Sequence, residues 1–318
     1  MRKSGLFGPV LAGAFVIARC VAIGDTFVED FATDPRTRGW QIHGDPSLFS
    51  WDSTNQVLEV TWDSSRPNSY FYRPLGTVLC LADEFALEFD LRLHSVEVSG
   101  WGFEIALGFF NLEDAMDPDF KRGTGTDSPN LFEFDYFPDV GFGPWLTATM
   151  TDMRSAFAFW SASAPLELGT DYRVRLYHAA GTTNIEAAVF TNGQLYARLS
   201  YPWVATDFGD FRLNAFSVSS YNEAGSGGSI RARGVVDNLV ITIPPPPVQD
   251  LSWAFVNGAW QMQFLSQTNW VYTLERTQDF VTWTAVSGGV PGTGSILSLL
   301  DTDPPAERAF YRVRAYRP

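Results

Sequence analysis

Short segments in which apolar and polar residues alternate one for one recur from Thr26 to Ile243. Phe85, Leu87, Phe89, Leu91 and Leu93 alternate with Glu88, Asp90, Arg92 and His94, and Tyr172, Val174 and Leu176 alternate with Arg173 and Arg175. Side chains of an extended chain repeat every two residues, so each segment predicts a strand with one apolar and one polar face. Thr191-Asn192-Gly193-Gln194 adds a hairpin signal, and no stretch carries the 3.6-residue period of an amphipathic helix. The pattern predicts an all-β chain of antiparallel sheets packed face to face, with one domain over 25–243.

Pro244-Pro245-Pro246-Pro247 interrupts this pattern. Four prolines cannot continue a sheet ladder, and they predict a stiff spacer of roughly 12 Å. Beyond it, 248–318 holds further alternating segments, among them LSWAFV, WQMQFL and WVYTLER, and predicts a second, smaller β-sandwich. The two units, 25–243 and 248–318, are expected to fold independently on either side of the 244–247 linker.

The first 24 residues read differently. Arg2 and Lys3 precede an apolar run, Gly5 to Ile17, that is too short to span a bilayer, and small residues follow it. This predicts a signal peptide over 1–24 and a protein that is secreted, periplasmic or on a bacterial cell surface. No later stretch predicts membrane insertion. The chain carries a formal charge of −14, and loss of Arg2, Lys3 and Arg19 would take it to about −17. Such a surface excludes nucleic acid and anionic membranes as favoured partners and suits a neutral ligand or divalent cations. Cys80 would be the one remaining cysteine, so a large aromatic core rather than a disulfide must hold the fold.

The candidate chemistry lies in LFEFDYFPD, 131–139. Phe132, Phe134 and Tyr136 share one face of a strand, which places Glu133 and Asp135 together on the other. Two acids at i and i+2 repel unless a cation, an arginine, a raised pKa or water offsets the charge. Arg154, Arg173 and Arg175 are the arginines considered as partners, and Asp139 could join the pair. Trp101, Trp145, Trp160, Trp203 and Tyr221 are candidates for a sugar-stacking platform, with Trp101 read as core and Trp145 and Tyr221 favoured. Tyr221 and Asn222 lead into the glycine-rich loop NEAGSGGS. His43, His94 and His178 lack metal-ligand spacing, and no nucleophile elbow, phosphate loop or dinucleotide fingerprint occurs.

Three pieces of the first unit, Phe27-Val28-Glu29-Asp30-Phe31, the acidic strand with Asp139, and Val236-Asp237-Asn238-Leu239-Val240, resemble the concanavalin A-like lectin/glucanase superfamily. The resemblance implies a jelly-roll sandwich and structural calcium held by Asp30 and Asp237 between the first and last strands. In legume-type lectins the acidic strand holds metals beside the sugar; here Pro144 and Thr149 stand where an acid and a His would complete that set. In the β-glucanase-type hydrolases a second Glu supplies the proton, and here Phe137 and Pro138 occupy its positions. The resemblance therefore implies non-catalytic binding of an extracellular polysaccharide or glycoconjugate through Glu133, Asp135, Asp139, Trp145 and Tyr221. The alternatives are a hydrolase or lyase using Glu133 and Asp135, and a structural or adhesive surface protein. Tyr272-Thr-Leu274-Glu275-Arg276, Trp283 and Phe310-Tyr311-Arg312-Val313-Arg314-Ala315 resemble fibronectin type III-like modules, which implies a possible protein partner for the tail.

Overall fold

A computed structural model describes residues 25–100, 103–122, 128–139, 141, 143–222, 228–305 and 308–318. Residues 1–24, where a signal peptide is expected, Trp101 and most of the NEAGSGGS loop lie outside the described residues. The first unit consists of strands β1 (Asp25–Glu29), β2 (Gln41–His43), β3 (Phe49–Asp52), β4 (Val57–Asp63), β5 (Ser69–Leu79), β6 (Phe85–Gly100), β7 (Ile105–Phe110), β8 (Leu131–Phe137), β9 (Trp145–Thr151), β10 (Phe157–Ala162), β11 (Tyr172–His178), β12 (Ile185–Thr191), β13 (Gln194–Leu199), β14 (Tyr201–Val204), β15 (Leu213–Ser220) and β16 (Gly228–Ile243).

These strands make two antiparallel eight-stranded sheets. One runs β13-β12-β11-β6-β16-β4-β3, with β1 also paired to β16; the other runs β14-β10-β9-β8-β7-β15-β5-β2. The sheets meet through the apolar positions that the alternation marks. Phe85 packs edge-on against Phe132 at 4.9 Å between ring centroids, and Phe89 against Phe134 at 5.7 Å. Leu87, Val174 and Val236 complete the same buried layer. Each aromatic removes a large area from water, so this core stabilises the sandwich without a disulfide.

β8 lies inside the second sheet, between β7 and β9, with the register Gly108↔Glu133↔Thr149. Its core face is the expected one. Its other face is buried as well, because a connection between β7 and β8 folds back across it. That connection begins with a short helix, α1 (Leu112–Ala115), capped by Asn111, whose Oδ1 accepts from the Glu113 and Asp114 amides.

The tail contains β17 (Val248–Val256), β18 (Ala259–Ser266), β19 (Val271–Thr277), β20 (Thr284–Ala285), β21 (Val290–Pro291), β22 (Ile296–Asp301) and β23 (Phe310–Tyr316). One small sheet runs β17-β18-β22; in the other β19 pairs with β20, β21 and β23. Met262, Phe264, Trp270, Tyr272, Leu274 and Leu299 form a separate core between them.

The proline run does not hold the tail away from the first unit. Arg317 donates to the Val78 carbonyl at 2.7 Å, meets Cys80 Sγ at 2.8 Å and holds the Asp83 carboxylate at 2.7 and 2.6 Å. Its guanidinium also lies 4.5 Å from the Trp270 ring centroid. The tail in turn grips the linker, with Gln267 donating to Pro245 and Tyr272 donating to Pro247. Four prolines expose carbonyls that have no ladder partner, and these side chains supply one.

Candidate functional site

Glu133 and Asp135 are fully buried rather than solvated. Arg122, from the connection that covers β8, places Nε 2.9 Å from Glu133 Oε2 and Nη2 2.9 Å from Asp135 Oδ2. Glu104, also buried, stands 3.6 Å from the same Nε. Thr149 donates to Asp135 Oδ2 at 2.6 Å, and the Tyr221 hydroxyl donates a short bond to Glu133 Oε1. Among the described residues, three buried carboxylates thus share one guanidinium. Two charges of one sign cannot be removed from water together without a proton or another cation. Accordingly burial pushes the Glu133 carboxyl up to about 7, with Arg122 opposing and Asp135 adding to the rise. Burial and the Glu133 charge keep Tyr221 protonated, well above its ordinary range.

The local sequence explains how the strands close around Glu133. Gly108 faces it across the β7–β8 ladder, and a Cβ there would sit 2.5 Å from Glu133 Cα and 2.8 Å from its Cγ. Only glycine leaves room for the acid to turn over the sheet. Phe120 closes the top of the cluster, 6.1 Å from the Tyr221 ring and 6.5 Å from that of Tyr70. Asn68 fixes this cover by donating to the Phe120 carbonyl at 2.9 Å.

The structure therefore unites Glu133, Asp135 and Tyr221 but gives Tyr221 a different place from the expected one: it is buried and cannot serve as a stacking platform. Asp139 is exposed past the end of β8, where its Oδ1 accepts from the Gly141 amide at 2.8 Å. Trp145 is half-buried at the start of β9, and Trp160 faces the core. The arginines considered as partners lie elsewhere: Arg154 pairs with Asp152, Arg173 with Glu88 and Asp90, and Arg175 with Glu88. The decisive residues, Arg122 and Glu104, lie outside the acidic strand and share no periodic pattern with it. The one available signal is that Lys121 and Arg122 are the only lysine or arginine between Arg92 and Arg154.

β1 and β16 do pair, with Glu29 opposite Leu239. Asp30 and Asp237 lie at this junction, each with partners inside the protein. Asp30 Oδ1 accepts from the Ala32 amide at 3.1 Å and faces Arg38 at 3.6 Å. Both Asp237 oxygens accept from Asn238, at 2.7 and 3.2 Å. Among the described residues no group of three or more His, Cys, Asp or Glu is placed to hold a metal ion, so calcium's six to eight oxygens would have to come from these two carboxylates and backbone carbonyls. The buried acid at this junction is Glu29, which accepts from the Phe31 amide and Trp40 Nε1, both at 2.8 Å, and from Arg38.

The face of the second sheet that carries Glu133 changes character toward the β14 edge. The cross-strand row Glu133, Thr149, Phe159, Trp203 moves from charge through hydroxyl to exposed aromatic. Phe157 stacks on Trp203 with centroids 4.4 Å apart and planes 24° apart, and Phe159 lies nearly parallel to both at 11° and 13°. Trp203 occupies the last strand of the sheet and is 44% exposed, and Tyr201 beside it is 68% exposed. This edge, rather than the acidic strand, is the accessible part of the face.

No protein-family model and no curated protein matches the chain. Solved structures similar to it include the alginate lyase Aly36B, at 14% identity over 70% of this chain and 98% of that one, with a TM-score of 0.35. They also include the legume lectin-like domain from Entamoeba histolytica (11% identity, 66% and 94% coverage, TM-score 0.41). A third is a Lotus tetragonolobus seed lectin (10% identity, 69% and 98% coverage, TM-score 0.45). At such values the functional reading rests on the side chains of this chain.

Proposed function

We propose that the protein binds an extracellular, uncharged polysaccharide, and that Trp203 is its principal contact. The observation that carries this reading is the Phe157–Phe159–Trp203 stack, in which two phenylalanine rings brace an edge tryptophan that is still 44% exposed. A flat, rigid, exposed indole suits the C–H face of a pyranose ring, and little side-chain entropy is lost on contact. The buried Arg122 cluster lies on the same face and ties β8 to β9 through Thr149. The reading includes export through residues 1–24 and a fibronectin type III-like role for the tail as a spacer or protein contact.

Calorimetric titration against a panel of soluble neutral glucans, mannans and galactans tests the proposal. Trp203→Ala should weaken binding at least fivefold, about 1 kcal/mol, while the melting temperature stays near that of the wild type. Unchanged affinity in Trp203→Ala would remove the platform from the reading.

One observation favours a second reading. A carboxyl raised to about 7 has the proton affinity that a general acid or base requires, and Glu133 has it beside the Tyr221 hydroxyl. A lyase or hydrolase of this kind would need the Phe120 cover to open before a polymer could reach Glu133. Release of unsaturated or reducing ends, abolished in Glu133→Gln, would establish it in place of simple binding.

A further inference from the structure

We propose that β17 is a self-pairing edge through which two copies of the chain join tail to tail. Among the described residues β17 pairs with β18 alone, so its outer edge presents backbone donors and acceptors without a ladder partner there. Every residue from Asp250 to Val256 is exposed. Such edges are ordinarily protected by lysine, proline, an inward-pointing charge or a bulge. β17 has its irregularity at the beginning only, where Asp250 adopts a φ of 52° and the register shifts between Gln249 and Ser252. Leu251-Ser252-Trp253-Ala254-Phe255-Val256 carries no charge and no proline.

The side chains on this strand are self-complementary. Leu251, Trp253 and Phe255 share one face and are 44%, 67% and 57% exposed, while Ser252 and Ala254 on the other face are small. Antiparallel pairing about a two-fold axis at Trp253 places Trp253 against its copy and Leu251 against Phe255 of the second copy, twice. The same apolar face continues through Trp260, 5.3 Å from Phe255, onto the tail core, so the joined surfaces would extend one another. The two three-stranded sheets then become one of six, and the exposed backbone groups find partners.

Charge selects a second copy, joined by this route. The tail has six acidic and five basic residues, whereas the chain as a whole is at −14, so nearly all the negative charge lies in the first unit. Pairing through nearly neutral tails keeps the acidic units apart, where other contacts between copies would bring them together. Three large side chains and one strand edge from each copy bury on the order of 1,000 Å² in total, the lower limit for a specific interface.

Sedimentation equilibrium of the full chain across the micromolar range should show monomer and dimer in exchange. Trp253→Lys should weaken association at least tenfold without changing the melt, since the side chain it replaces is exposed. Residues facing themselves across an antiparallel pair lie about 4.5–5.5 Å apart at Cα, within reach of a disulfide. Trp253→Cys should consequently cross-link two copies on mild oxidation, whereas Phe280→Cys, at a position 61% exposed on another part of the tail, should not. A monomer throughout, a dimer indifferent to Trp253→Lys, or equal cross-linking by the two cysteine variants would each overturn the proposal.

Discussion

At residue scale, the proton held by the Arg122 cluster makes stability depend on pH. The Glu133 carboxyl rises from 4.5 to about 7 on folding, so between those values the folded chain binds more protons than the unfolded one. Stability from this group is complete below pH 4.5 and is lost as pH rises to about 7, with a limiting slope of about 1.4 kcal/mol per pH unit. His178 acts with the opposite sign: burial lowers its pKa below 6.5, so its contribution improves as pH rises toward that value. Comparing the two proteins isolates the carboxyl. Urea melts between pH 4.5 and 7 should show a falling stability in the wild type that Glu133→Gln flattens, and identical slopes would show that Glu133 holds no proton. The sequence revealed that Glu133 and Asp135 share a face and require compensation. It could not reveal Arg122, because a loop crossing a strand brings together residues 11 and 13 positions apart in the chain without a periodic signal.

At the scale of elements, Arg317 ties the tail to the first unit. Arg317 and Asp83 are both nearly buried, and the guanidinium fork satisfies both carboxylate oxygens. Removing one member of such a pair leaves the other charge unpaired away from water, at a cost of about 3 kcal/mol. His178, whose ring nitrogens face the Asp83 and Thr182 carbonyls at 2.8 and 2.9 Å, holds the loop that carries this aspartate. Arg317→Ala should therefore split one calorimetric transition into two, with the tail melting first. A single transition at the wild-type temperature would mean that the contact does not couple the units. Arg317→Lys should recover part of the coupling, because it keeps the charge but loses the fork. β16 ends at Ile243 and β17 begins at Val248, on either side of the proline run, but a spacer in sequence is not a gap in space.

For the molecule as a whole, the charge of −14 bears on which polymers can approach. Acidic polysaccharides of uronate type meet a repulsive field, so any binding should be weak at low salt and strengthen as ions screen the repulsion. Neutral polysaccharides should bind with little dependence on salt, since stacking on Trp203 involves no net charge. Titrating one neutral and one uronate polymer at low and high ionic strength checks this. Tighter binding of the uronate polymer at low salt would show that a local basic surface overrides the net charge.

By itself the sequence determined the all-β class, because period-two alternation leaves sheets as the only way to separate apolar from polar positions. It also determined the aromatic core: Phe85, Phe89, Phe132 and Phe134 sit where their parity places them, and their rings meet across the sheets. It placed the interruption at Pro244–Pro247, where the backbone has no amide to donate. Only the tertiary structure decided what lies over the second face of each strand. Alternation distinguishes the two faces but not water from a crossing loop, so Glu133 reads the same in sequence whether solvated or buried under Phe120 and Arg122. The same ambiguity concealed the accessible surface. Trp203 and Tyr221 are both aromatic residues near strand ends, but one lies on the last strand of a sheet and is exposed, while the other lies beneath a cover and serves Glu133.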